Sequence, residues 1–381
     1  MHNDAPLLGV YVHWPYCARL CPYCDFNVYK TRDIDAARWK AALVRDLESW
    51  AARSEGRKLT SLYFGGGTPS LAPLTVIEAV IEACDRLWGF DTAPEITLEA
   101  NPTDAELSRF QAFAGAGVTR LSLGVQSFDD AALKFLGRNH DGAAARAGAR
   151  LALRLFPRMT FDLIYALPGE AAEDWRRGLA EALEIGAPHL SLYQLTIEPG
   201  TAFDKAVARG KWAPPADDLA ADLFDIAQEM TAAAGRPAYE ISNHARPGAE
   251  SAHNLLYWTG GDYIGIGPGA HGRLTSGAER IATETSDRPE DYLHSVETSG
   301  CGAVSQSPLD AESRLIEKLT MGLRLARGVE LSDGEIETLG PRLARLPALS
   351  ADGLIEFDGR TLRATHDGRR VLNSVLAEIL S

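Results

Sequence analysis

The chain has 381 residues, 45% apolar and 24% charged, with a formal net charge of −14. This is the composition of an ordinary globular protein, and the length predicts two or three domains. The acidic balance argues against a general nucleic-acid binder, which needs a basic stripe, and also against stable attachment to an anionic membrane surface.

Met1 to Val12 carries no basic segment and only a short apolar stretch, unlike a secretory signal. No apolar run approaches the roughly 18–20 residues of a membrane span, so no integral membrane segment is expected. Three of the five cysteines lie within eight residues, Cys17, Cys21 and Cys24. That is no disulfide framework and points to a reducing compartment, read as the cytoplasm. The C-x3-C-x2-C loop offers three clustered thiolates, which suit an iron–sulfur cube with one iron left open. The residues alone also permit a zinc loop, or a disulfide pair beside a free thiol. Cys84, inside an amphipathic helix, reads as a core thiol, and Cys301 lies in a polar loop.

Short β-rich runs appear at Leu8–His13, Leu59–Phe64, Glu95–Glu99, Arg120–Val125, Met159–Ala166 and His189–Ile197. Helical stretches separate them, at Ala36–Arg53, Leu74–Trp88, Asp104–Ala114, Asp130–Leu136, Ala143–Leu155 and Glu173–Ile185. Six strand–helix units predict a parallel α/β fold, best fitted by an open, partial (β/α)6 barrel, with a doubly wound sheet as the alternative. Strands run straight into Gly65-Gly66-Gly67-Thr68-Pro69, Glu99-Ala100-Asn101-Pro102, Gln126-Ser127-Phe128 and Leu167-Pro168-Gly169-Glu170. In either architecture these carboxyl ends gather on one face, where active sites are built.

The alternation stops near Gly200. Pro214–Ala234 reads as an amphipathic helix, and Tyr239–Gly272 is too long and too apolar for a linker. Near the end, Leu309–Ala326 reads as a helix, Asp352–Arg360 as a hairpin turning at Asp358-Gly359, and Gly368–Leu380 as a last helix. The expected division is a barrel over 1–200, a mixed accessory region over 201–300 and a winged-helix-like α+β domain over 301–381.

The cysteine spacing, followed by the glycine run, is the signature of the radical S-adenosylmethionine superfamily, and the chain resembles that superfamily. Within it the chain is most similar to the coproporphyrinogen dehydrogenase-like branch and its HemW-like subgroup. The resemblance implies a [4Fe–4S] cluster on Cys17, Cys21 and Cys24, with S-adenosylmethionine on the open iron. It implies cofactor contacts at Tyr11, Gly66, Gly67, Thr68, Glu99 in Leu-Glu-Ala-Asn-Pro, Gln126 in Gly-Val-Gln-Ser-Phe, Arg138 in Leu-Gly-Arg-Asn-His and Asp162 in Phe-Asp-Leu-Ile-Tyr. Carboxylates and amides suit ribose hydroxyls, and a guanidinium suits the methionine carboxylate. The motif His253-Asn254-Leu-Leu-Tyr257-Trp258 resembles the subgroup's haem-binding segment, although residues alone favour a packed histidine. The expected function is haem chaperoning, with haem, haem-acceptor proteins and an electron donor as partners and no nucleic acid. The alternative is an oxygen-independent coproporphyrinogen III dehydrogenase. Phe26 stands where those enzymes usually carry a further cysteine, which puts decarboxylating activity in doubt. His13 is expected to pack near the cluster, and His189, His244, His294 and His366 lack metal-ligand spacing.

Overall fold

Polar and apolar side chains alternate along much of the first long strands, so each strand has one polar face and one dry, apolar face. The computed structural model describes residues 7–31 and 33–381; residues 1–6 of the N-terminal stretch read above lie outside them. The strands are β1 (Leu8–Trp14), the short pair β2 (Tyr16–Cys17) and β3 (Tyr29–Lys30), β4 (Leu59–Gly66), β5 (Phe90–Ala100), β6 (Arg120–Gln126), β7 (Arg158–Tyr165) and β8 (His189–Gln194). Val10, Val12, Leu62, Leu98, Leu121, Leu123, Phe161 and Leu190 are buried on the dry face. The helices Ala36–Ala51, Leu74–Leu87, Gly142–Leu155 and Ala172–Ile185 contribute to the same apolar core. Among the described residues four helices start where an aspartate caps them: Asp35, Asp129, Asp141 and Asp310 accept from the backbone N–H groups of Arg38, Ala132, Ala144 and Ser313. The helix expected over Asp104–Ala114 is two, Asp104–Leu107 and Phe110–Gly115. At the break, Arg109 donates to the carbonyls of Ser70 and Ala72.

β1, β4, β5, β6, β7 and β8 are parallel neighbours in chain order. A doubly wound sheet would reverse direction within that run, so the winding is that of a barrel. Residues from β4 through β8 line one cavity, which requires the sheet to curve around it.

The sheet does not end with the barrel strands. β10 (Asp262–Ile266) pairs parallel to β1, and β11 (His271–Ser276), β12 (Glu279–Thr285) and β13 (Ala303–Pro308) continue that edge antiparallel. β9 (Asn243–Ala245) closes the other edge against β8. The stretch beyond residue 200 therefore extends both edges of an eleven-stranded sheet. A buried ion pair fastens this extension, with Arg57 Nη1 2.7 Å from Asp262 Oδ2. The last segment packs a separate core from Leu315, Leu319, Leu323, Leu362, Val375 and Ile379. Its three-stranded sheet has the order β14 (Val329–Glu330), β16 (Thr361–Ala364), β15 (Ile355–Phe357). The β15–β16 turn uses Gly359 at φ +96° and Asp358, whose carboxylate accepts the N–H groups of Arg360 and Thr361.

On the polar face, near the amino ends of the strands, Arg120 and Glu95 form an ion pair at 2.9 Å, both almost fully buried. Arg120 also donates to Thr160 Oγ1 and to the carbonyls of Ala249 and Glu250. The second oxygen of Glu95 accepts the Ser251 hydroxyl and the His253 N–H. Burial alone would raise the Glu95 carboxyl. The Arg120 charge and these donors outweigh it and hold the group below its ordinary value.

Arg120→Met should therefore cost about 3–5 kcal/mol, because it strands a buried carboxylate. The double variant Glu95→Leu/Arg120→Met should cost less than Arg120→Met alone. Urea unfolding of the three proteins checks this, and an Arg120→Met protein as stable as the parent would refute the anchoring role.

Candidate functional site

The cysteine loop leaves β1 at the carboxyl end of the sheet and is held from three sides. Gly67 N–H donates to the Trp14 carbonyl at 2.7 Å, and Thr68 N–H to the Tyr16 carbonyl at 2.9 Å. The Asn27 amide donates to the carbonyls of Pro268 and Asp287, tying the loop to the late strands. The third side is Arg138, whose Nη1 lies 3.2 Å from Cys21 Sγ and 3.3 Å from the Tyr23 hydroxyl. Thr68 Oγ1 approaches Cys17 Sγ at 3.4 Å. Burial pushes the Cys17 thiol up to about 11 and raises that of Cys24.

The three thiols open into a cavity of about 370 Å³, which the carboxyl ends of β4 to β8 complete with Gly66, Gly67, Thr68, Glu99, Asn101, Gln126, Arg138, Asp162 and Tyr193. All the cofactor positions expected from sequence meet there except Tyr11. That ring lies one layer below, stacked near Tyr63 and His253, with its hydroxyl 3.1 Å from His13 Nδ1. His13 Nε2 in turn sits 2.9 Å from the Asn27 carbonyl oxygen, so His13 packs against the cluster loop.

The glycine run is conformationally required. Gly66 has φ +100°, and a Cβ there would lie 2.6 Å from the His13 ring; one on Gly67 would lie 2.8 Å from the Tyr16 carbonyl oxygen. Gln126 closes β6 at φ +63°. A non-glycine residue in that region costs on the order of 1–3 kcal/mol.

Two carboxyl groups face inward. Glu99 accepts from the Tyr63 hydroxyl at 2.8 Å, and burial pushes its carboxyl up to about 8, with Asp162 adding to the rise. Asp162 sits in mid-strand yet points inward, accepting from the Ser122 hydroxyl, and burial pushes it up to about 7. Beneath them a smaller polar cavity of about 70 Å³ reaches down to Arg120, His189 and Asn254.

The four residues of the His253 motif lie on the short helix Ala252–Trp258 but do not form one slot. His253 is 1% exposed. Its Nδ1 is 2.8 Å from Ser61 Oγ and its Nε2 is 2.9 Å from the Tyr257 hydroxyl. Burial lowers this imidazole to about 4, so it is neutral and both nitrogens are already partnered. Asn254 lines the lower cavity, and Trp258 faces Arg324 of the last segment. The sequence motifs include Asn101 but not Tyr63, Ser122, Tyr193, Glu95 or Arg120. The signal was the alternation itself: Arg120, Ser122, Gly124 and Gln126 occupy every second place of one strand.

The donor set fits a cluster with a bound cofactor. One loop supplies three thiols, and the buried Arg138 Nε is left without a partner beside Cys21. Among the described residues no three Cys, His, Asp or Glu side chains converge on a single metal ion. A cube instead takes one thiolate at each of three irons.

Comparison with known proteins agrees. The radical SAM superfamily profile matches residues 11–181. A Bos taurus protein described as radical S-adenosyl methionine domain-containing protein 1, mitochondrial, is 39% identical across 98% of this chain and 87% of its own length. The heme chaperone HemW of Mycobacterium tuberculosis is 35% identical over 98% of this chain and 94% of its own. Escherichia coli HemW is 40% identical over 76% of each. Among solved structures, coproporphyrinogen III oxidase (HemN) of Escherichia coli superposes with a TM-score of 0.84 at 22% identity, covering 99% of this chain and 91% of that one.

The raised carboxyls give a pH signature to the cofactor-free protein. A folded-state value above the ordinary 4.5 means stability is full below that pH and falls as pH climbs toward about 8. Glu99→Gln removes this loss, so its melting temperature should gain on the wild type across that window and show no such gain below it. Thermal melts at pH 4.5 and pH 8 check this; parallel curves would refute the shift.

Proposed function

The chain belongs to the radical S-adenosylmethionine superfamily, and we propose from that premise that it is a haem chaperone of the HemW kind. It would bind haem and deliver it to acceptor proteins. The observation that carries this reading is similarity to HemW proteins, at 35% identity across 98% of the chain and at 40% across 76% of it. The fold shared with coproporphyrinogen III oxidase does not separate the two functions. Phe26, exposed at the cavity mouth, occupies the place where the dehydrogenases usually carry a further cysteine.

Cys17, Cys21 and Cys24 would hold a [4Fe–4S] cluster, with S-adenosylmethionine in the cavity against Gly66, Gly67, Thr68, Glu99, Gln126, Arg138 and Asp162. When reduced, such a cluster supplies an electron that cleaves the cofactor's sulfonium. Within this arrangement the protein's own residues orient and shield. The glycine turn brings backbone polar groups to the ligand, and Glu99 and Asp162 offer hydrogen-bonding oxygens. Arg138 brings positive charge to the thiolate of Cys21. An electron donor and haem acceptors are required partners. Clustered free thiols and an oxygen-sensitive cube suit a reducing compartment, and the cytoplasm is the one we propose. No helix among the described residues is long and apolar enough to cross a membrane.

His253 is the imidazole we assign to haem iron, with Asn254, Tyr257 and Trp258 as its flanking residues. In the conformation described, that ligation requires it to leave Ser61 and Tyr257.

Anaerobic reconstitution tests the reading. The Cys17→Ser, Cys21→Ser and Cys24→Ser triple variant should carry no cluster, whereas Cys84→Ser should match the wild type in iron and labile sulfide. Added haem should give a Soret band that His253→Ala shifts or abolishes without loss of cluster iron. A wild type that binds no haem but consumes coproporphyrinogen III would establish the dehydrogenase instead.

A further inference from the structure

The His253 helix lies outside the barrel in sequence but inside it in space. Three hydrogen bonds seat it: the Glu95 carboxylate accepts the His253 N–H and the Ser251 hydroxyl, both at 3.0 Å, and Ser61 of β4 meets His253 Nδ1. The imidazole then lies beneath Tyr63, ring centroids 4.8 Å apart and planes 24° from parallel. Tyr63 is the residue whose hydroxyl donates to Glu99 at 2.8 Å. One further aromatic, Tyr11, stacks against both His253 and Tyr63. The wall of the cofactor cavity that presents Glu99 therefore rests on this imidazole. Two residues of β4 separated by one position, Ser61 and Tyr63, carry the link, because both point to the same face of the sheet.

We propose that His253 is a positioning residue of the S-adenosylmethionine pocket, acting through Tyr63 on Glu99, and that this makes the two ligands antagonistic. The second half rests on the haem-chaperone reading; the first does not. An imidazole that swings out to an iron must release Ser61 and Tyr257 and withdraw from under Tyr63. Tyr63 then loses its support, and of the two donors that reach Glu99, the Tyr63 hydroxyl and the Gly66 N–H, the first is displaced. One side chain thus serves two mutually exclusive arrangements, as a coupling between sites requires.

The test is equilibrium binding of S-adenosylmethionine to the reconstituted full-length protein, with cluster iron and melting temperature measured alongside. Tyr63→Phe keeps the ring stack and removes the hydroxyl; His253→Gln removes the stacked ring. Each should raise the S-adenosylmethionine Kd by about fivefold or more, although neither residue lines the larger cavity. Tyr63→Phe carries the test if His253→Gln fails to fold. Unchanged affinity in Tyr63→Phe, with normal iron content, would overturn the positioning role.

Haem supplies the second arm. In the wild type, saturating haem should raise the S-adenosylmethionine Kd, and saturating S-adenosylmethionine should raise the haem Kd by the same factor, since linkage is reciprocal. In Tyr63→Phe that factor should fall toward one, which a purely structural defect would not produce. Two ligands that bind independently, with a Soret band that depends on His253, would overturn the antagonism. A protein that binds no haem at all would remove both the chaperone reading and the antagonism, and the S-adenosylmethionine titrations would still decide the positioning role.

Discussion

The buried Glu95–Arg120 pair is the constraint on which the other parts depend. A curved parallel sheet is usually filled with apolar side chains, but this one encloses serines, threonines, tyrosines, histidines and charges. Such groups are tolerated away from water only when their partners are complete. The pair meets that demand at the floor: each carboxylate oxygen of Glu95 and each nitrogen of Arg120's fork reaches a named partner. Two of those partners, Ser251 and His253, come from a segment more than 130 positions beyond Arg120. The pair therefore neutralises charge inside the barrel and also recruits the helix that closes it.

The recruited helix explains why the stretch after residue 200 folds onto the barrel. β10 runs beside β1, so the first strand is enclosed on both sides rather than left as an edge with open N–H and C=O groups. The same late region returns to the cluster loop through the Asn27 amide and the Tyr29 hydroxyl, which both reach the Asp287 carbonyl. The cysteines are thus held by residues from the beginning and the later part of the chain. A loop of this kind has little regular structure of its own, and its geometry must be imposed by such neighbours.

Much of the site was legible from local signals. Three thiols on one short loop, glycines at a strand end, and polar residues following apolar runs are visible without coordinates. Each reflects a rule acting over a few residues: ligand spacing, the freedom of glycine to approach a ligand, and the position of loops at the carboxyl ends of parallel strands. Glu99, Gln126 and Arg138 reach the cavity as those rules anticipate, and Asp162 does so from mid-strand because its parity matches that of Ser122 and Ser191. Tyr11 was expected as a cavity wall and instead supports Tyr63 from below.

Local signals carried the strand–helix units, the cysteine loop and the polar strand ends, because these follow from a two-residue strand period and from spacing within short segments, whereas the barrel winding and the inward places of Tyr63, Glu95 and Arg120 needed the assembled sheet. Only the tertiary structure decided where the His253 helix goes and what its imidazole touches. Ser61 and Glu95 are brought to His253 by the closing of the sheet and by the ion pair that Glu95 makes with Arg120, whereas Tyr257 is its neighbour one helical turn on. No local pattern in His253-Asn254-Leu-Leu-Tyr257-Trp258 specifies Ser61 or Glu95, since helical spacing fixes only the neighbours on the helix itself. Its meaning depends on contacts between positions far apart in the chain, and such contacts exist only after the barrel has closed.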